Sequence, residues 1–268
     1  MFEDIYSSAP GRALSGLLAR PFISKAAGRF MDSRLSAPFI RPFIKKHQID
    51  LSQAEQDRYK SFNAFFTRRL KKGARPVSSD ASALVSPCDA LLTAYDIGEE
   101  SVFPIKGRTY SVKELLKDDA LAEEFSGGRC LVFRLTPTDY HRYIFPCEGR
   151  ITGFRHIPGV YHTVRPNALK NTHVFYENTR EWTLMETPVF GKVLMMEVGA
   201  LLVGRIVNTV KEGAFTRWQE KGWFEFGGST IVLLLKKDAC AFTLPLDTDS
   251  ELPVKSGQVI GFRQIQKQ

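Results

Sequence analysis

Residues 221–235 read KGWFEFGGSTIVLLL, and the uninterrupted run Ile231–Leu235 constrains the fold most. A strand with one face in water alternates apolar and polar residues. Five apolar residues in a row call for a strand covered on both faces, so core must lie on each side of a sheet. An aromatic strand bearing Trp223, Phe224 and Phe226 precedes it. Between the two lies Gly227-Gly228-Ser229-Thr230, a bend whose glycines admit backbone dihedrals closed to other residues. One reading is a tight turn in which Ser229 satisfies its own backbone. The other is that the Ser229 hydroxyl attacks the carbonyl of Gly228, an N-to-O acyl shift to an ester whose elimination breaks the chain there. The bend alone leaves both open.

The 268 residues suffice for one large domain or two small ones, and 43% hydrophobic with 25% charged residues is ordinary for a globular protein. No apolar run approaches the ~20 residues that span a bilayer. The start, MFEDIYSSAPGR, lacks the basic-then-apolar layout of a secretory signal, so an intracellular protein is expected. Cys88, Cys130, Cys147 and Cys240 form no C-x-x-C pair, which predicts buried free thiols and no metal site. Metalloprotease, nucleophile-elbow, Walker and dinucleotide motifs are absent. The net charge of +8 is uneven: residues 1–76 hold 15 Lys+Arg against 6 Asp+Glu, whereas the rest hold 22 against 23. The basic excess sits in the N-terminal quarter, where an anionic partner would bind.

That quarter reads as helical. Ile23, Ala26, Ala27 and Phe30 share one face of a helix over 22–31, and ARPFISK at 19–25 returns as IRPFIKK at 40–46. Short basic amphipathic pieces exposing Phe22, Phe43 and Ile44 suit an anionic membrane surface, whereas nucleic acid is not expected because no aromatic-basic sheet motif accompanies the charge. Ser52 and Glu55 look like a capping box for a second helix carrying Tyr59, Phe62, Phe66 and Leu70 and ending at Lys71-Lys72-Gly73. From residue 77 the chain turns to short strands near 84–95, 129–135, 149–156, 191–198, 201–208, 231–236, 239–244 and 258–263, with one helix in 111–124. The expectation is an α+β protein: a basic helical region, 1–76, and a β-rich domain of mainly antiparallel strands, 77–268.

Four stretches of that domain set polar residues among apolar ones: VSPCDA with Asp89, LTPTDYHRYIFP with Asp139, His141 and Arg142, PGVYHTVRPNAL with His162 and Arg165, and VFYENTRE with Asn178 and Arg180. Each has a plain account: Asp89 caps a turn, His141 is a hydrogen-bonded core histidine, and the arginines pair with surface carboxylates. Together Asp89, His141 and Ser229 supply what serine activation needs, an acceptor for the hydroxyl proton and a carboxylate to orient it.

With FFTRRLKKGARP, VSPCDA, IKGRTYSVKELL, TDYHRYIFP, PGVYHTVRP to YENTRE, VGALLVGRI and FEFGGST in order, nearly the whole chain resembles the phosphatidylserine decarboxylase family. The resemblance implies a proenzyme that cuts itself between Gly228 and Ser229 into a β chain, 1–228, and an α chain, 229–268, headed by a pyruvoyl group made from Ser229. That carbonyl would take the amine of phosphatidylserine and act as electron sink as CO2 leaves, yielding phosphatidylethanolamine. Asp89 and His141 are the matching site residues. The resemblance also implies a peripheral protein on the cytoplasmic side of the cell membrane, with a homodimer plausible. Two departures stand out. The family's YHRxH pattern has a second histidine where this chain has Ile144, which leaves His141 acting alone or His162 as a substitute base; and Ala90 replaces the glycine that usually follows the aspartate. A relative that no longer cleaves and serves as a lipid-binding β-domain is the rival reading, motivated by Ile144.

Overall fold

The computed structural model describes residues 21–76, 78–105, 108–160, 174–199, 205–226, 229–246, 248 and 250–264. The expected helix is present as α1 (Pro21–Asp32), and a 3-10 turn (Arg34–Phe39) carries the chain into α2 (Ile40–His47). The helix expected from Ser52 is shorter: α3 spans Phe62–Phe66, and its N-cap is Ser61, whose hydroxyl accepts the Ala64 N–H at 3.2 Å. Residues 53–55 pair instead with 69–71, through Glu55 N–H to Arg69 O, Lys71 N–H to Gln53 O and an antiparallel bridge between Ala54 and Leu70. Backbone groups spent across that clasp cannot make i−4 bonds, so the helix is confined to one turn.

The strands follow as β1 (Ala83–Val85), β2 (Ala90–Asp96), β3 (Val102–Ile105), β4 (Arg108–Ser111), β5 (Arg129–Leu135), β6 (Arg142–Ile144), β7 (Gly149–Ile157) and β8 (Arg180–Thr187). Then come β9 (Gly191–Gly199), β10 (Ile206–Asn208), β11 (Gly213–Phe215), β12 (Glu220–Phe224), β13 (Ser229–Leu235), β14 (Cys240–Phe242), β15 (Leu252–Val254) and β16 (Val259–Arg263). The helix expected in 111–124 is two, α4 (Val112–Leu116) and α5 (Asp119–Glu123), separated where Lys117 takes φ 53 and Asp118 caps the second by accepting Leu121 N–H at 3.0 Å. One more short helix, α6 (Val174–Glu177), precedes β8.

Eight strands form the main sheet in the order β11-β7-β8-β9-β13-β5-β2-β15, all neighbours antiparallel. Smaller sheets are β1-β16-β14, β10-β12-β6 and β3-β4. The run STIVLLL is β13, buried at every position and bonded to β9 on one edge and β5 on the other. Its alternation divides two cores. Val232 and Leu234 join Val132, Leu194 and Met196 on one face; Ile231, Leu233 and Leu235 join Phe133, Met195, Tyr143 and Phe224 on the other.

A third core is aromatic. Phe43 packs edge-on against Phe62, Phe65 and Phe226, and Phe62 and Phe66 also meet Phe226. Phe43 and Ile44 therefore face protein, and the large apolar side chains left exposed among the described residues are Phe30, Leu35 and Phe39. Across all described residues no helix is long and apolar enough to cross a membrane. The four cysteines are buried free thiols, as expected, with burial pushing Cys147 and Cys240 up to about 12.

Candidate active site

Ser229 is the first residue of β13 and sits opposite Gly199 on β9 and Leu135 on β5. It is a strand residue, where the bend had been expected to carry it; Gly227 and Gly228 lie outside the described residues. Because side chains alternate, Ser229 faces the same core layer as Ile231, Tyr143 and Phe224. Its Oγ is fully buried and makes no hydrogen bond among the described residues. A buried hydroxyl left unpaired costs about 1–3 kcal/mol, which folding retains only where something else is gained.

His141 immediately precedes β6 and is completely buried. Its Nδ1 lies 2.9 Å from the carbonyl oxygen of Asp139, which can only accept, so Nδ1 carries the proton and Nε2 presents a bare lone pair. Nε2 is buried and has no hydrogen-bond partner among the described residues. The ring lies against Phe66 at 3.8 Å between centroids, and the His141 carbonyl accepts Phe224 N–H at 2.9 Å. Burial, and next the nearby Arg68 charge, hold the imidazole pKa down to about 3, so the ring is neutral. A neutral acceptor and a serine hydroxyl thus both stand unsatisfied, although no hydrogen bond joins them.

Asp89 is also buried, and its hydrogen bonds go elsewhere than to His141. Arg75 grips it through both oxygens, with Nε 2.8 Å from Oδ1 and Nη2 on Oδ2; Ser256 N–H reaches Oδ1 at 2.8 Å and Lys255 Nζ lies 3.4 Å from Oδ2. The turn presenting Ser256 needs Gly257, which adopts φ +84 and has no room for a Cβ beside Pro76 O and the Trp218 ring. His141 is oriented by its own loop and by Phe66, and Asp89 ties the 75–89 segment to the C-terminal turn.

Other sequence-stretch residues resolve differently. Arg180 makes no surface ion pair: it is 1% exposed and donates to the carbonyls of Leu115, Tyr176, Asn178 and Glu114. Burial lowers its pKa to about 10. Asn178 donates to the carbonyl of Gly199 at 2.7 Å, and so fixes the cross-strand partner of Ser229. Ile144 lies in β6, its N–H on Pro87 O. His162 and Arg165 lie outside the described residues.

Three arrangements were not anticipated. Asn63 accepts the Phe226 N–H at 3.0 Å while donating to Asp32 at 2.9 Å, linking α1, α3 and the segment before Ser229. Arg142, after His141, donates to Thr67 O at 2.7 Å and Glu220 at 2.8 Å. Lastly Lys221 and Glu197, both wholly buried, meet at 2.7 Å, with Asn208 bridging Lys221, Glu197 and Glu181. Glu197 faces Ile231 across the ladder, one same-face step from Ser229. Burial drives the Glu197 pKa up and the Lys221 pKa down, against the attraction between them. The lysine and glutamate were legible only as polar breaks in strands.

The fold is that of an α+β protein whose main sheet has an inner strand headed by a buried serine, with a neutral buried histidine just before β6. The family model for phosphatidylserine decarboxylase matches residues 62–262. Similar relatives include the phosphatidylserine decarboxylase proenzyme of Clostridium perfringens, 41% identical over 96% of this chain and 90% of the relative, and proenzyme 2 of Clostridium acetobutylicum, also 41% over 96% and 90%. The proenzyme of Clostridium beijerinckii is 39% identical over 97% and 90%. The chain belongs to the phosphatidylserine decarboxylase family.

Proposed function

We propose that the protein decarboxylates phosphatidylserine to phosphatidylethanolamine after cutting itself between Gly228 and Ser229. The observation that carries the cleavage reading is the buried, unbonded Ser229 Oγ at the head of a strand held on both edges. Ser229 Oγ attacks the Gly228 carbonyl carbon, its proton passing to a base, and the C–N bond opens to an ester. Loss of the Cα proton expels Oγ with the Gly228 carboxylate, and water then releases the serine nitrogen as ammonia, leaving a pyruvoyl group on residue 229. The base we assign is His141, whose buried Nε2 is a bare acceptor; burial holds its basicity low, so the proton passes to it only when Ser229 Oγ comes within hydrogen-bond reach and the charge developing on the ring is stabilised.

The site fits that group: residue 229, whose buried hydroxyl has no partner among the described residues, would carry a keto group amide-linked to Thr230, held on the ladder by its pairings with Gly199 and Leu135. When formed, the group supplies a conjugated carbonyl that accepts the electron pair left as CO2 departs. The chain's own part is to keep water out with Phe66, Phe224 and Phe226 and to hold His141 as the proton-carrying group near the reacting carbon. Asp89 keeps the 229–268 fragment's Ser256 turn in place after the cut.

Contact with an anionic membrane fits the helical region, with Phe30, Leu35 and Phe39 exposed among Arg29, Arg34 and Arg41. Intact mass measurement in denaturant tests the main reading. Two chains, 1–228 and 229–268, the second with a pyruvoyl-blocked N-terminus, are expected, and Ser229→Ala should give one chain without activity. A single uncut chain from the unmodified protein would favour the non-cleaving lipid-binding reading.

A further inference from the structure

Arg68 is 6% exposed, yet its guanidinium makes no hydrogen bond or ion pair to any described residue, and its Nε is wholly buried. Its charge centre lies 5.3 Å from the centroid of the Phe65 ring. Burial is the main influence lowering its pKa, with Tyr59, Asp89 and Tyr140 only partly opposing it. An arginine this enclosed is ordinarily held by a carboxylate or several carbonyls, as Arg75 and Arg180 are here. Arg68 instead lines a cleft of about 240 Å³ together with Glu55, Tyr59, Thr67, Arg69 and Arg142. Arg142 is already neutralised by Glu220, and Tyr59 donates to Gln56 O. That leaves Arg68 and Arg69 against Glu55, a net positive pocket whose most buried cation has no partner.

The cleft adjoins the proposed reaction centre through two elements. Thr67 and Arg68 follow Phe66, which lies on His141, and Arg142 follows His141 itself. We propose that Arg68, assisted by Arg69, is the receptor for the phosphodiester of the substrate head group. The proposal rests on placing the chemistry at His141 and Ser229. Phosphatidylserine offers two oxyanions, the phosphodiester and the carboxylate. Pairing the carboxylate with a buried guanidinium would stabilise the charge that must depart as neutral CO2, lowering the ground state more than the transition state. The phosphodiester keeps its charge throughout, so binding it there anchors the substrate without opposing the reaction, and a guanidinium fork matches its geometry.

The test uses the mature two-chain enzyme and monomeric dihexanoyl phosphatidylserine. Arg68→Gln should raise KM about tenfold or more with kcat changed by less than about threefold, the split expected for binding common to ground and transition states. Arg68→Lys should recover part of the loss. sn-Glycero-3-phosphoethanolamine, which has the phosphodiester and no carboxylate, should inhibit the unmodified enzyme competitively and Arg68→Gln about tenfold less. L-serine, with a carboxylate and no phosphate, should not distinguish the two, and inorganic phosphate should compete weakly in the same Arg68-dependent way. Arg69→Gln, at an exposed position, provides a second reading if Arg68→Gln does not accumulate; it should raise KM about two- to fivefold. An unchanged KM in these variants, or L-serine inhibition that depends on Arg68, overturns the assignment. Failure of chain cleavage in the unmodified protein would instead strike the Ser229 reading, and the mass spectrum separates the two.

Discussion

A histidine enclosed as His141 is must stay neutral to remain folded, and this has a measurable sign. Its folded pKa is about 3, against about 6.5 for an exposed imidazole. Between those values the unfolded chain binds the proton and the folded one does not. The stabilisation is therefore full above pH ~6.5 and is lost as pH falls toward 3, at no more than about 1.4 kcal/mol per pH unit. Thermal unfolding of the uncut Ser229→Ala protein should show a midpoint that declines through this window, and His141→Gln should flatten that part of the decline; an identical slope in both proteins would show that His141 does not titrate this way. The residue itself was legible from TDYHRYIFP, but its surroundings were not. Asp89 was expected to orient it, yet Arg75, fourteen positions earlier in the chain, takes both carboxylate oxygens, and Ser256, in the turn between β15 and β16, adds its N–H to one of them. Sequence spacing reveals which groups exist; it does not show which of two buried acceptors a distant arginine will claim.

Among the elements, those with unmixed composition were readable. The apolar run of β13 announced a strand covered on both faces, and it is the strand bonded between β9 and β5. By contrast β8, REWTLMET, was not among the expected strands, since its polar residues interrupt the apolar pattern; Arg180 and Thr183 are in fact buried. The same concealment applies to Lys221 on β12 and Glu197 on β9, which join the β10-β12-β6 sheet to the main one. Removing one partner leaves the other charged and dry, so Lys221→Met should destabilise the uncut protein by about 3–5 kcal/mol. The double variant Lys221→Met/Glu197→Leu, which replaces both charges with apolar volume, should recover a good part of that loss, with Asn208 and Glu181 limiting how much. Urea unfolding of the three proteins decides it: a Lys221→Met loss below about 1 kcal/mol would mean the pair is hydrated and contributes like a surface bridge.

At the scale of the molecule, the helical region and the sheets meet where the chemistry is proposed. The aromatic core joins Phe43 to Phe226, Asn63 joins Asp32 to the Phe226 backbone, and Phe66 joins that core to His141. A surface on α1 and the 3-10 turn therefore lies a few side chains from the site. Of the three side chains expected at the lipid, Phe22 lies where no side chain is described, and Phe43 and Ile44 face inward because α3 and Phe226 offer them a partner, while Leu35, 74% exposed, and Phe39, 54% exposed against only the edge of Phe30, stay outside. Burying a leucine and a phenylalanine in lipid is worth about 1.5–3 kcal/mol each when complete. Leu35→Glu/Phe39→Glu should thus lower partitioning onto vesicles containing anionic lipid by about tenfold or more, with chain cleavage and thermal stability unaltered. Phe43→Ala should do the reverse, lowering stability by about 1–3 kcal/mol, less than for a fully buried phenylalanine because Phe43 is half-buried, while the remaining folded protein partitions as before. Sedimentation with vesicles, read beside a melting curve, distinguishes the two faces; equal partitioning by the double glutamate variant would mean that the exposed side chains on this surface do not meet the lipid.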